Sequence, residues 1–154
     1  MLTLLFSNIL FVLVAGQYPA DTYIPSVSRD CLQCICKAST GCDLNIGCHN
    51  TGSGGYFCGP YLISWAFWAE GGRIGENPRK RSGFENCAKD KECSEKTIHG
   101  YMNKHARDCD NDNDIDCYDI ASIHKAGHYG CNATWFKNTD YWKTLEKCYE
   151  PIAH

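Results

Sequence analysis

The sequence predicts an α+β domain, mostly helical with a small β-sheet, stapled by disulfides. Three observations predict it. The chain of 154 residues carries twelve cysteines, all downstream of Asp30. An even, dense set of this kind reads as a disulfide framework in an oxidising compartment. Apolar and aromatic residues recur at helical spacing in several separate stretches. Gly47 to Gly55 is rich in Gly, Asn, Ser and Thr, the composition of a turn between short strands. Runs of helix beside one small irregular sheet make an α+β domain.

The elements follow in chain order. Met1 to Ala15 is apolar and uncharged apart from a few small polar residues, and Val14-Ala15-Gly16 offers a small-residue exit. Residues 1–16 therefore read as a secretory signal peptide, too short for a membrane span. A buried N-terminal strand is the competing reading. Residues 17–30 hold two prolines and no periodic pattern and read as an extended arm. Residues 31–154 form one domain, long enough for a real core.

A helix is expected from Cys31, with Gly41 as its stop. Gly47 to Gly55 is the hairpin region. Pro60 suits the first turn of a second helix. Tyr61, Trp65, Trp68 and Ala69 then recur at helical spacing before Gly71-Gly72. Core packing is the plain reading of these aromatics; a sugar-stacking wall formed by Tyr61, Trp65 and Trp68 is the functional one. Arg73 to Gly83, with the basic cluster Arg79-Lys80-Arg81, reads as an exposed loop, either solvated or meeting an anionic glycan. Glu85 to Ala106 carries a helix with Ile98, Tyr101, Met102 and His105 on one stripe. Tyr118 to Ala126 is a short helix ended by Gly127, and Asp140 to Tyr149 a last one with Trp142, Leu145 and Tyr149 facing inward.

The formal net charge of -3 argues against a nucleic-acid partner, which needs a basic face, and against a cationic membrane-disrupting role. No second apolar run approaches membrane length, so a soluble, secreted monomer is expected. Twelve cysteines (Cys31, Cys34, Cys36, Cys42, Cys48, Cys58, Cys87, Cys93, Cys109, Cys117, Cys131 and Cys148) make six bridges if all pair. Zinc at Cys31-x-x-Cys34 is the competing use, but no matching pair follows.

Cys31 to Cys58 has the spacing C-x-x-C-x-C-x5-C-x5-C, then a Gly-Ser turn and Cys-Gly-Pro-Tyr. This stretch resembles the start of an invertebrate-type (i-type) lysozyme, the group that includes the destabilase-like proteins. Ile63 to Ala69, Thr97 to Lys104 and the Ile-His-Lys-Ala-Gly-His-Tyr-Gly-Cys run Ile123 to Cys131 are similar to later segments of that family, the last to its insect branch. The resemblance covers roughly Cys31 to Cys148 and implies a lysozyme-like fold. It also implies hydrolysis of the β-1,4 glycosidic bonds of bacterial peptidoglycan, in defence or digestion, with no cofactor.

Glycoside cleavage needs one protonated carboxyl and one ionised carboxylate, about 5–5.5 Å apart in retaining enzymes. The family's acid is the Glu of C-x-C-x-x-E-S-G-C; here the matching position in Cys34 to Cys42 is Ser39. The family's Asp falls on Thr51, or on Asn50 if the loop is gapped. Between Cys31 and Ala69 the only carboxylate is Asp43. A hydroxyl can replace neither role, and each is worth about 10²–10⁴ in rate. The expectation is a scaffold that has lost its muramidase pair and acts by binding peptidoglycan or a related glycan. The alternatives are an active lysozyme with displaced carboxylates, drawn from Asp43 with Glu70 or Glu76, and an isopeptidase. The family's isopeptidase Ser-Lys pair falls on Ser53 and Ser64, so the lysine is replaced.

A second signal is Asp108 to Asp119, DCDNDNDIDCYD. Asp108, Asp110, Asp112, Asp114, Asp116 and Asp119 take positions 1, 3, 5, 7, 9 and 12 of a calcium loop, with Asn113 in place of the usual Gly. A structural calcium ion and a solvated acidic turn capping the helix from Tyr118 are the two readings. His124 and His128 are four apart, but Gly127 stands between them. Asn132-Ala133-Thr134 is a glycosylation sequon at Asn132.

Overall fold

The computed structural model describes residues 27–153. The proposed signal peptide and all but the last residues of the proposed arm lie outside them. Those last residues belong to the domain: Val27 is buried against the core, and the first helix, α1 (Arg29–Thr40), starts inside the predicted arm. The reason is a cap. Ser28 is extended, and its hydroxyl accepts from the Cys31 backbone N–H at 3.1 Å, while Asp30 sits in the first turn. Gly41 ends α1 in the left-handed region at φ 71°, closing the helix on the Cys36 and Lys37 carbonyls.

Three short strands follow as an antiparallel sheet in the order β1-β2-β3: β1 (Cys48–Asn50), β2 (Tyr56–Cys58) and β3 (Ile63–Ser64). Cys48 faces Cys58 and Asn50 faces Tyr56, so Thr51 begins the connecting turn. Pro60 does not open a helix. The chain turns tightly there, with Leu62 N donating to Gly59 O at 2.9 Å, and Ile63 and Ser64 pair with β2. Helix α2 (Trp65–Glu70) begins only afterwards, capped by the Ser64 hydroxyl on the Phe67 N–H.

Helix α3 (Arg81–Lys89) lies partly in the predicted loop and buries Gly83, Phe84, Cys87 and Ala88. Gly83 hides it from propensity reasoning. A side chain there would meet the Asn77 carbonyl at 2.2 Å, so close backbone packing requires glycine despite its poor helix propensity. Helix α4 (Lys91–His105) carries the expected stripe: Ile98, Tyr101 and Met102 are buried. Helix α5 (Cys117–Ala126) and helix α6 (Asp140–Tyr149) complete the domain, with α6 packed along α1.

All twelve cysteines are paired. Cys31–Cys117 and Cys34–Cys148 tie α1 to α5 and α6 across 86 and 114 residues of sequence. Long closures of this kind restrict the unfolded chain most. Cys36–Cys42 locks the end of α1, Cys48–Cys58 bridges the hairpin, Cys87–Cys93 joins α3 to α4, and Cys109–Cys131 pins the acidic loop to the turn after α5.

The acidic loop divides in two. The carboxylates of Asp108, Asp110 and Asp112 gather within 4.8 Å of one another. Asp108 also accepts from the backbone of Asn111 and Asn113, both with positive φ. Asp114 accepts from its neighbour Ile115. Asp116 and Asp119 are not in the cluster. Asp116 is the N-cap of α5 and forms a reciprocal capping box with Asp119. Asp119 is buried, accepting from Cys109 N at 2.7 Å and Asp116 N at 3.0 Å, and burial pushes its carboxyl up to about 6. Of the six aspartates in the calcium-loop spacing, Asp108, Asp110 and Asp112 thus stand together, while Asp116 and Asp119 satisfy backbone donors at the start of α5. Asn132 is exposed, beside the bridged Cys131.

Candidate functional site

A cavity of about 410 Å³ opens where five segments meet. The end of α1 supplies Ala38 and Ser39. The hairpin supplies Thr51 and Phe57, the turn before β3 Leu62, the end of α5 His124 and Lys125, and the start of α6 Asp140 and Tyr141. Its size lies within the range of about 300–1,000 Å³ that small-ligand sites occupy. The fold thus brings Ser39 and Thr51 to one cavity. Asn50, the gapped alternative for the second position, is not on its wall; it lines a neighbouring hollow of about 310 Å³ with Tyr56, Trp65, Arg81 and Phe84.

The chemistry of the first cavity is poor in acids. Ser39 lines the cavity, and its Oγ is buried with no hydrogen-bond partner in the protein. Thr51 Oγ1 lies 3.3 Å from both Ser53 Oγ and the Gly55 carbonyl. Among the described residues Asp140 is the one carboxylate on the wall, and it is exposed. His124 is enclosed against Tyr141 Oη, 3.3 Å from its Nδ1, and against the Phe67 ring. Desolvation pushes its pKa down to about 4, more than its contact with the Tyr61 backbone raises it. Burial therefore disfavours the imidazolium form of His124, which is the form a general acid would need. Lys125 adds a positive charge, its Nζ 5.0 Å from the centre of the Tyr141 ring.

The carboxylates considered as substitutes lie elsewhere. Asp43 accepts from Asn45 N in an exposed turn, Glu70 pairs with His105, and Glu76 is exposed; none lines the cavity. The isopeptidase positions do not meet as a pair either. Ser53 has Thr51 as its hydrogen-bond neighbour, and Ser64 is spent on the cap of α2.

The aromatic wall reduces to one member. Tyr61 and Trp68 are 0% exposed and belong to the core. Tyr61 Oη donates to Glu95 at 2.7 Å, and Trp68 Nε1 to the Ile74 carbonyl at 2.9 Å, which satisfies the polar end of each ring inside. Trp65 is 37% exposed and stands in the second hollow, with the Arg73 guanidinium 5.4 Å from its ring centre. Of the basic cluster, Arg81 reaches this hollow. It pairs with Glu85 at 2.7 Å and lies 4.4 Å from the centre of the Tyr56 ring.

Sequence reasoning missed Asp140 and His124 as cavity residues. They come from segments about a hundred residues beyond Ser39 in sequence, and no local motif links them to it.

Known proteins share this architecture. The destabilase family matches residues 28–148. Invertebrate-type lysozyme 2 of Caenorhabditis elegans is 31% identical over 123 residues, covering 79% of this chain and 86% of that protein. A lysozyme of Meretrix lusoria is 32% identical over 79% of this chain and 89% of its own. The crystal structure of inhibitor-bound Meretrix lusoria lysozyme superposes with a TM-score of 0.65 at 31% identity, covering 79% of this chain and 90% of the other. The same lysozyme in complex with Aeromonas hydrophila PliI matches equally well, with a TM-score of 0.65 over 80% of this chain and 94% of that one. With the fold, the disulfide framework and these relatives in agreement, the chain belongs to the destabilase family of invertebrate-type lysozymes.

Proposed function

We propose that this protein is a secreted member of the family that holds bacterial peptidoglycan, or a related glycan, without cutting it at a lysozyme's rate. One observation carries the reading: among the described residues, Asp140, exposed on the rim, is the only carboxylate lining the cavity that Ser39 and Thr51 share. A lysozyme mechanism needs two, in opposite protonation states. Asp140 alone favours the displaced-carboxylate alternative, but among the described residues it has no carboxyl partner on that wall, and burial disfavours the imidazolium form of His124.

Binding draws on what remains. The first cavity offers apolar walls from Phe57 and Leu62 with the exposed Thr51 and Lys125 beside them. The second offers the exposed part of Trp65 beside Asn50. An aromatic ring with a few placed polar groups suits a sugar, whose apolar face packs on the ring while its hydroxyls and amides find donors. The six disulfides fit an extracellular setting, and no helix among the described residues is long and apolar enough to cross a membrane.

The test is co-sedimentation with insoluble peptidoglycan. The protein is expected in the pellet, released by soluble N-acetylglucosamine oligomers. Trp65→Ala should weaken retention by about tenfold, as loss of one aromatic contact of roughly 1.4 kcal/mol would do. Protein that stays in the supernatant at all wall concentrations contradicts the reading.

A further inference from the structure

We propose that Glu70, His105 and His128 form a binding site for one divalent transition-metal ion of the zinc type. The site lies apart from the two hollows described above, and its argument is independent of the glycan reading. One ligand atom from each residue lies within 4.8 Å of the other two. Glu70 closes α2, His105 closes α4, and His128 follows Gly127 beyond α5, so three elements converge there.

Two imidazoles and one carboxylate are a ligand set that zinc takes readily, with a fourth position left for water. The supports for these ligands are also present. Tyr101 Oη lies 2.9 Å from His128 Nδ1. When that nitrogen donates to Tyr101, Nε2 keeps its lone pair free, which is the orienting contact that ligating histidines use. Glu70 Oε2 lies 2.9 Å from His105 Nε2, and Lys104 holds the Glu70 carbonyl at 2.6 Å, fixing the end of α2 against α4. Among the described residues there is no free thiol to compete for the ion.

The geometry is one rotation short of a closed site. The His105 and His128 rings stack at 4.0 Å, only 11° from parallel, so their in-plane lone pairs run side by side and do not converge. Zinc–nitrogen bonds of about 2.0–2.1 Å in a tetrahedron need ligand atoms about 3.3 Å apart and aimed at one point. His128 can supply the rotation by pivoting about its Nδ1 contact with Tyr101: it sits in a half-buried turn beside exposed Tyr129 and after Gly127 at φ 74°. The nearby positive charges of Lys104 and Arg107, the latter 3.5 Å from the His128 carbonyl, oppose a cation. Affinity is thus expected in the micromolar range and not in that of structural zinc.

The test titrates the full disulfide-bonded chain with ZnCl₂ by calorimetry and with CoCl₂ by visible absorption. One ion per chain is expected, with the intense d–d bands of four- or five-coordinate cobalt. Glu70→Gln, His105→Gln and His128→Gln should each weaken binding at least about tenfold, and Tyr101→Phe about tenfold through the lost orienting contact. His99→Gln should leave it unchanged. Near-UV circular dichroism of the metal-free variants shows that they fold, and Glu70→Gln, at an exposed position, keeps the test sound should a histidine variant not fold. Absence of saturable one-to-one uptake, or uptake that survives all three ligand substitutions, overturns the proposal.

Discussion

A Ser39→Glu, Thr51→Asp double variant is expected to clear bacterial cell-wall suspensions at least about 10²-fold faster than the wild-type protein, since each restored role is worth about 10²–10⁴. Position 39 lies in the last turns of α1, where glutamate is a good helix former. The cavity of about 410 Å³ leaves room for the longer side chain in place of an unpartnered hydroxyl. Phe57, Leu62 and Tyr141 would surround the new carboxyl and raise its pKa by desolvation, keeping it protonated as an acid must be; Lys125 works against this. Thr51, exposed at the start of the hairpin turn, would carry a solvated aspartate that stays ionised. Two carboxyls in unlike surroundings would then divide the roles. Each single variant should gain far less, because groups that act as a unit are not additive. A folded, glycan-binding double variant with no gain would mean that the cavity has lost more of a lysozyme's geometry than its two carboxyls.

Gly59→Ala is expected to cost about 3–5 kcal/mol of stability and about 10 °C in melting temperature. Gly59 follows β2 and donates to the Gly47 carbonyl at 2.7 Å. Its φ is +72°, and a Cβ there would stand 1.6 Å from the Ala88 carbonyl oxygen and 3.0 Å from Lys89 Cα. These are backbone atoms at the end of α3, which cannot swing aside as a side chain would. The methyl must push the sheet away from α3, beside the buried Tyr61 and Phe84. Gly54→Ala is the control. It has φ +83° with nothing within 4 Å, so it should pay only the backbone preference of about 1–2 kcal/mol. Equal melting of the two variants would contradict this account of the junction.

The helices that were legible in the sequence are those with an amphipathic stripe and a chemical stop: α1 with Gly41, α5 with Gly127, and α6 with Trp142 and Leu145 buried. Helix α3 was not, because Gly83 serves a backbone contact that no local pattern reveals. Tyr61, Trp65 and Trp68 look alike in sequence. Tyr61 precedes the helix altogether, so its burial is set by the turn at Gly59 and by Glu95 on α4, while Trp65 at the helix start is left at the surface. The acidic run shows the same limit. Its spacing fits one cation loop, yet the start of α5 claims Asp116 and Asp119 as backbone acceptors. Ser39 and Thr51 could be matched to one site through the cysteine framework, whereas Asp140, His124 and the Glu70–His105–His128 cluster meet only in three dimensions.

The most direct measurement is the release of reducing ends from purified peptidoglycan by the wild-type protein, with the fragments identified by mass spectrometry. A rate indistinguishable from the buffer control, in a preparation that still sediments with the wall, is the predicted result. Muropeptides cleaved at the β-1,4 bond with ordinary enzymatic turnover, abolished by Asp140→Asn, would contradict it and place the chemistry on the Asp140 carboxylate at the cavity rim.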